Sequence, residues 1–215
     1  MVKSVSLKSP IIAIYGGTFD PFHQAHAAVC HRVLSFSQVS QLRVVPCFIP
    51  ALKQGATASA EHRVAMLEQW RIAQSEAARI QIDQQETQRQ GASYTIDTVE
   101  NIARQQPDAK LIFVLGADAW HSLPRWHRAA ELMQKVSFWV FNRAGEAAPV
   151  AHQSTNHCLS VEQLFTQQVG HFCCDDSIDL PLSSTDYRES LDETDKLPHE
   201  VADYITKNQL YRKVQ

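Results

Sequence analysis

At 215 residues, with 44% hydrophobic side chains and a formal net charge of −3, the chain can bury a sizeable core and has no basic excess to neutralise a nucleic-acid backbone. Its five cysteines, Cys30, Cys47, Cys158, Cys173 and Cys174, are odd in number and irregularly spaced, which argues against a disulfide framework and fits a reducing compartment. No apolar run is long enough to span a bilayer, and the two N-terminal lysines precede no continuous apolar stretch of the kind a secretion signal needs. The expected setting is therefore the cytoplasm, with neither membrane nor nucleic acid as partner.

Residues 1–10 read as a ragged lead-in. The apolar run Ile11-Ile12-Ala13-Ile14-Tyr15 reads as a strand, and the helical pattern of residues 27–34 follows it. Between them lies Gly16-Gly17-Thr18-Phe19-Asp20-Pro21-Phe22-His23-Gln24-Ala25-His26, a tight turn into a helix start. A second strand over 42–46 completes a βαβ unit, which implies a parallel sheet. Residues 48–55 are loop. Ser59 caps a helix expected to place Met66, Trp70, Ala73 and Ala77 on one face. Residues 79–83 alternate as a short strand, and 84–92 are polar loop. Ser93-Tyr94-Thr95 opens a helix with Ile96, Val99 and Ala103 inward.

The uninterrupted apolar run 111–115 has the composition of a central parallel strand and ends at Gly116-Ala117-Asp118. Residues 119–128 form a loop with short helical turns, 129–134 a short helix, 136–141 a strand and 142–151 a loop. A helix is possible over 161–168. A last strand runs from Cys173 to near Leu182. Ser183-Ser184-Thr185-Asp186 has the form of a capping box for a helix reaching Leu191, and 199–207 is the final helix. With no repeat and no linker, the expectation is a single domain over 1–215, its core about 10–213. The class is α/β, a doubly wound parallel sheet whose ligands gather at the carboxyl ends of strands.

Three of those strand ends, the first turn, Gly116-Ala117-Asp118 and Ser183-Ser184-Thr185, can converge on one crevice. In the first turn, glycines allow close backbone approach to a ligand. His23 and His26 sit where free N–H groups and the helix dipole favour phosphate, and their rings add donors. A surface histidine pair, or a zinc pair with a third ligand not evident at a typical spacing, are the competing readings. At the C-terminal turn, the hydroxyls of Ser183, Ser184 and Thr185 and the guanidinium of Arg188 suit phosphate oxygens, although a plain helix cap with a surface arginine has the same letters. Cys173-Cys174 near His171 fits thiols on a buried strand better than a metal site.

The first turn resembles the nucleotidyltransferase superfamily signature Gly-Gly-Thr-Phe-Asp-Pro-x-His-x-Gly-His, with Ala25 in place of the last glycine. Residues 182–188 resemble the second signature, Ile-Ser-Ser-Thr-x-x-Arg. The middle of the chain is similar to nicotinate mononucleotide adenylyltransferases. Ser93-Tyr94-Thr95-Ile96-Asp97-Thr98 matches their helix entry, Gly116-Ala117-Asp118 and Pro124-Arg125-Trp126 their Gly-x-Asp and Pro-x-Trp elements, and Phe141-Asn142-Arg143 and Leu210-Tyr211-Arg212 resemble their strand exit and terminus. Residues 46–53 keep Lys53 of a Pro-Pro-His-Lys loop but lack its second proline and histidine.

The resemblance implies a Rossmann-like nucleotidyltransferase fold and adenylyl transfer from ATP to a pyridine mononucleotide, nicotinate mononucleotide first and nicotinamide mononucleotide as the alternative. Magnesium would be carried on the ATP phosphates. His23, His26 and Arg188 would be catalytic. Gly16, Gly17, Thr18, Phe19, Gly116, Asp118, Ser183, Ser184 and Thr185 would bind ATP, and Lys53, Tyr94, Thr95 and Trp126 the acceptor. No protein-held metal is implied. The helix entry and Pro-x-Trp argue against phosphopantetheine as acceptor. The chain is too short for a tRNA-binding addition and lacks the lysine-rich signature of class I aminoacyl-tRNA synthetases. A nucleotide-binding regulator without turnover is the alternative from another class.

Overall fold

The apolar runs become strands of one parallel sheet. The computed structural model describes residues 9–50, 56–89, 91–142, 149–178, 182–190 and 194–211. The strands are β1 (Ile11–Gly17), β2 (Val39–Pro46), β4 (Ile80–Ile82), β6 (Lys110–Gly116), β7 (Ser137–Phe141), β8 (Asn156–Cys158) and β9 (His171–Asp175), in the order β4-β2-β1-β6-β7-β9-β8. All six adjacent pairs are parallel. Two short strands, β3 (Ile49–Pro50) and β5 (Ala92–Ser93), pair separately beside the sheet.

Both faces of the sheet are buried, which is why its central strands read as unbroken apolar runs. In β1, Ile11, Ala13 and Tyr15 enter one core while Ile12 and Ile14 enter the other. In β7, Trp139 and Phe141 take the first side, Phe138 and Val140 the second. The first core is closed by α1 (Gln24–Leu34), α2 (Ala60–Ile72), α6 (Val161–Thr166) and α8 (His199–Lys207). The second is closed by α3 (Thr95–Gln105), α4 (Ala117–Ser122) and α5 (Ala129–Lys135). A short helix α7 (Ser184–Ser190) follows the last strand. The fold is the doubly wound α/β sheet expected.

Several buried polar groups on this frame find partners, as burial favours. Trp139 Nε1 donates to Asp175 Oδ2 at 3.1 Å, and the same oxygen accepts from Arg32 Nε at 3.0 Å. Trp120 Nε1 donates to the Val150 carbonyl at 2.9 Å. All five cysteines are free thiols. Cys173 is buried on β9, where burial and neighbouring acidic groups push its thiol up to about 12.

Three expectations need correction. Helix α2 ends at Ile72, because the Gln74 side chain takes the Trp70 carbonyl at 2.8 Å and i−3 bonds close the turn. Its buried face is Arg63, Met66, Leu67 and Trp70, and Ala73 and Ala77 lie beyond the helix. In α3 the third inward residue is Ile102, whereas Ala103 is exposed. Strand β9 stops at Asp175, well short of Leu182, because Asp175 Oδ1 accepts from the Ser177 N–H and turns the chain.

Candidate active site

The sheet order reverses between β1 and β6, the switch point at which doubly wound folds form their crevice. A cavity of about 750 Å³ lies there, lined at its strand ends by Gly16, Gly17, Gly116, Asp118 and Phe141.

The turn after β1 is built by crowding. A Cβ at Gly17 would sit 2.8 Å from the Phe19 ring, so only glycine fits. Phe19 itself holds a left-handed backbone (φ 52°), a strained conformation for a bulky residue. Its fully buried ring, edge-on to Tyr15 and His26 and tilted against Phe22, offsets that strain. The Asp20 carboxylate is buried and accepts from the Thr57 N–H (2.6 Å), the Ala58 N–H (2.9 Å) and the Tyr211 hydroxyl (2.8 Å). Burial and the Asp20 charge hold the Tyr211 phenol above its usual range.

His23 is the N-cap of α1 and His26 its third residue. The His23 N–H donates to His26 Nδ1 at 3.2 Å, and the two rings stack 3.7 Å apart. Because Nδ1 accepts, the proton of neutral His26 sits on Nε2, which makes that nitrogen a donor. Both rings line the cavity, as do Thr18, Phe19 and the Ala25 methyl.

Helix α7 is docked onto this turn. Ser184 Oγ donates to the Pro21 carbonyl at 3.0 Å, and Ser183 Oγ caps the helix by accepting from the Asp186 N–H at 3.1 Å. Arg188 Nη1 donates to the Asp20 carbonyl at 2.5 Å and lies 3.7 Å from Asp20 Oδ2, while Nη2 reaches Thr185 Oγ1 at 3.3 Å. The two motif regions therefore meet. Ser184 lines the cavity, whereas Ser183, Thr185 and Arg188 are not among its lining residues.

The cavity is also lined by Ser93, Tyr94, Thr95 and Thr98 from the entry to α3, and by Arg125, Trp126 and His127 from the turn before α5. Trp126 stands edge-on to Phe113 at 6.0 Å and donates from Nε1 to Ser122 Oγ at 3.0 Å. The Tyr94 and His127 rings lie 4.4 Å apart. Arg128, in a left-handed conformation, ties this turn to α3 and α5 through Glu100 (2.9 Å) and Glu131 (2.6 Å). Lys53 falls outside the described residues, as do Arg143 and Arg212.

Sequence reasoning missed two residues. Arg63 is buried on α2 and donates to the carbonyls of Thr18 (2.7 Å), Cys47 (2.7 Å), Ala58 (3.3 Å) and Phe48 (3.3 Å), which fixes the ends of β1 and β2 to the start of α2. Its position three, four and seven residues before Met66, Leu67 and Trp70 was the available signal. Glu86 is a buried acid in the cavity wall, set in a stretch with no local pattern.

A cytidylyltransferase-like family model matches residues 14–190. A protein named probable nicotinate-nucleotide adenylyltransferase from Aeromonas salmonicida is 34% identical, covering 96% of this chain and 99% of its own. One of the same name from Hahella chejuensis is 34% identical, covering 94% and 96%. A solved structure of Plasmodium falciparum nicotinic acid mononucleotide adenylyltransferase, complexed with NaAD, shares the fold at a TM-score of 0.71 and 21% identity, over 94% of this chain and 97% of that one. Motif, fold and relatives coincide over nearly the whole length, and the chain belongs to the nicotinate-nucleotide adenylyltransferases of the cytidylyltransferase-like family.

Proposed function

We propose that this chain, acting as one nucleotidyltransferase domain in the cytoplasm, moves AMP from ATP to nicotinate mononucleotide, giving deamido-NAD and pyrophosphate. The observation that carries the reading is one cavity lined both by a phosphate-type turn and by a set of flat aromatic rings. The acceptor's 5′-phosphate is the nucleophile. With a second pKa of about 6 it is largely dianionic at neutral pH, so no general base is needed. One of its oxygens bonds to the α-phosphorus as the bond from that phosphorus to the β-bridging oxygen breaks, and pyrophosphate leaves with the electron pair.

Catalysis is then positioning and charge stabilisation. His23 and His26 hold ATP phosphates, with His26 donating from Nε2. Gly16, Gly17, Thr18 and Phe19 shape the turn around them. Arg188, beside Asp20, takes the β- and γ-phosphates and the departing pyrophosphate by turning from the Asp20 carbonyl. Ser183, Ser184 and Thr185 supply hydroxyls on the same side. Gly116 and Asp118, at the end of β6, face the ribose, and Tyr94, Thr95, Trp126 and Lys53 face the acceptor.

Among the described residues no group of three or more His, Cys, Asp or Glu side chains could hold a metal. A magnesium ion riding on phosphates and water needs no such group, so the donor set fits an ion brought in with ATP. Magnesium would neutralise phosphate charge when bound.

The test is pyrophosphate release from ATP with nicotinate mononucleotide, nicotinamide mononucleotide or no acceptor, with the product identified chromatographically. Deamido-NAD formed in step with pyrophosphate is the expected result. Preferred use of the amide would reassign the acceptor, and ATP binding without turnover would make the chain a regulator.

A further inference from the structure

Of the acidic side chains lining the cavity, Glu86 is the buried one, 7% exposed, whereas Asp118 is open to solvent. Thr98 Oγ1 donates to Glu86 Oε1 at 2.6 Å. Thr98 has a single proton to give, and its oxygen in turn accepts from Arg89 Nη2 at 2.9 Å. The Ser93 hydroxyl, whose Oγ accepts the Phe48 N–H at 3.0 Å, also acts to lower the carboxyl. The Thr98 donor favours the carboxylate over the acid.

A hydroxyl does not neutralise the charge. The Arg89 charge offsets part of it and that of Asp83 opposes it, but Arg89 hydrogen-bonds to Thr98, and its guanidinium is shared with the Gln85 carbonyl and, at 3.7 Å, with Asp97. Burial pushes the Glu86 carboxyl up, so ionisation there carries a cost that a cation in the cavity would relieve. The same end presents the rings of Tyr94, Trp126 and His127, whose faces attract a flat cation. The base of a pyridine mononucleotide is such a cation, because its ring nitrogen is bonded to ribose and carries a formal positive charge.

We propose that Glu86 is a specificity-determining residue of the acceptor site, pairing its carboxylate with the positive charge of the pyridinium ring. The assignment rests on the acceptor named above. It separates three contributions: Trp126 supplies the stack, Glu86 reads the ring charge, and the groups around Thr95 read the ring substituent.

The test uses two acceptors at saturating ATP: nicotinate mononucleotide, and its isostere in which a phenyl ring replaces the pyridinium while the carboxylate and ribose phosphate are kept. Wild type should favour the charged ring by about tenfold or more in kcat/KM, the scale of one close charge pair. Glu86→Gln keeps the shape and one accepting oxygen. It should lose that preference through a higher KM for nicotinate mononucleotide, with the KM for ATP and the use of the neutral isostere unchanged. A wild type indifferent to ring charge overturns the proposal without any mutant. Equal losses on both acceptors in Glu86→Gln also overturn it, leaving Glu86 a packing role. A wild type that fails to turn over nicotinate mononucleotide, while another acceptor works, overturns the acceptor assignment itself and this proposal with it.

Discussion

At the β1 end of the cavity the backbone is the scaffold, and at the α3 end side chains are. Around β1, Asp20 holds two backbone N–H groups, Arg63 holds four carbonyls, and Gly17 is fixed by the ring of Phe19. At the α3 end the surface comes from Tyr94, Trp126 and His127, backed by Glu86, Thr98 and Ser93. The roles proposed for the two differ accordingly. A triphosphate asks for a fixed array of donors whatever the nucleotide, whereas an acceptor base must be told from its relatives, which only variable side chains can do.

This contrast can be broken by substitution. The largest effect is expected at the phosphate end. His26→Ala and Arg188→Ala should each lower kcat by about 10²–10³, the scale of losing one transition-state charge stabiliser. Both should leave the acceptor KM nearly unchanged in steady-state kinetics. Unaltered turnover in either folded variant would show that the turn does not bind the reacting phosphates.

Next comes the scaffold behind that end. Arg63→Met removes the donor to four carbonyls, and at about 1–3 kcal/mol for a buried group left unpaired the loss should be at least ~2 kcal/mol. A shift in denaturant midpoint at constant m measures it. A fully stable variant would mean that the β1 and β2 ends hold themselves.

At the acceptor end, Trp126→Ala should raise the KM of nicotinate and nicotinamide mononucleotides alike by about 5- to 150-fold, the ~1–3 kcal/mol of one aromatic–base stack, and leave the ATP KM unchanged. A loss confined to ATP would exchange the two ends.

The smallest effect concerns the clamp under that end. Arg128 holds Glu131 and Glu100 below the usual carboxylate range through its hydrogen bonds. Both are acids with depressed values in the folded state. Their contribution is therefore present above the unfolded value of about 4.3 and is lost as pH falls through the lower folded values. Melting curves of wild type should decline as pH falls below about 5, and Arg128→Ala should decline less. Identical acid profiles would assign the clamp no stabilising role.

The same contrast decides what was legible beforehand. A backbone-built turn must use particular letters, so Gly16 to His26 could be read locally, and so could the capping serine before α7. Strands buried on both faces announce themselves as apolar runs. Glu86 could not be read, because the role proposed for it depends on Thr98, twelve residues on, and on its place in the cavity wall. Arg63 could have been read from its place on an apolar helical face. The posture of Arg188 could not, since it is set by Asp20, 168 residues earlier. Ala73, Ala77 and Ala103 failed as inward positions because alanine marks no face strongly, and neighbouring larger side chains took the core.

The division of labour between the two ends is tested most directly by kcat/KM for nicotinate and nicotinamide mononucleotides, measured side by side in wild type and Trp126→Ala. Both acceptors present a flat cationic ring, so the stack cannot tell them apart. The carboxylate only accepts hydrogen bonds whereas the amide also donates, and a mismatched buried donor costs ~1–3 kcal/mol. The account predicts a wild-type preference for the nicotinate form that survives loss of the tryptophan while both values fall. Equal wild-type values, or a preference that vanishes with the ring, would contradict it.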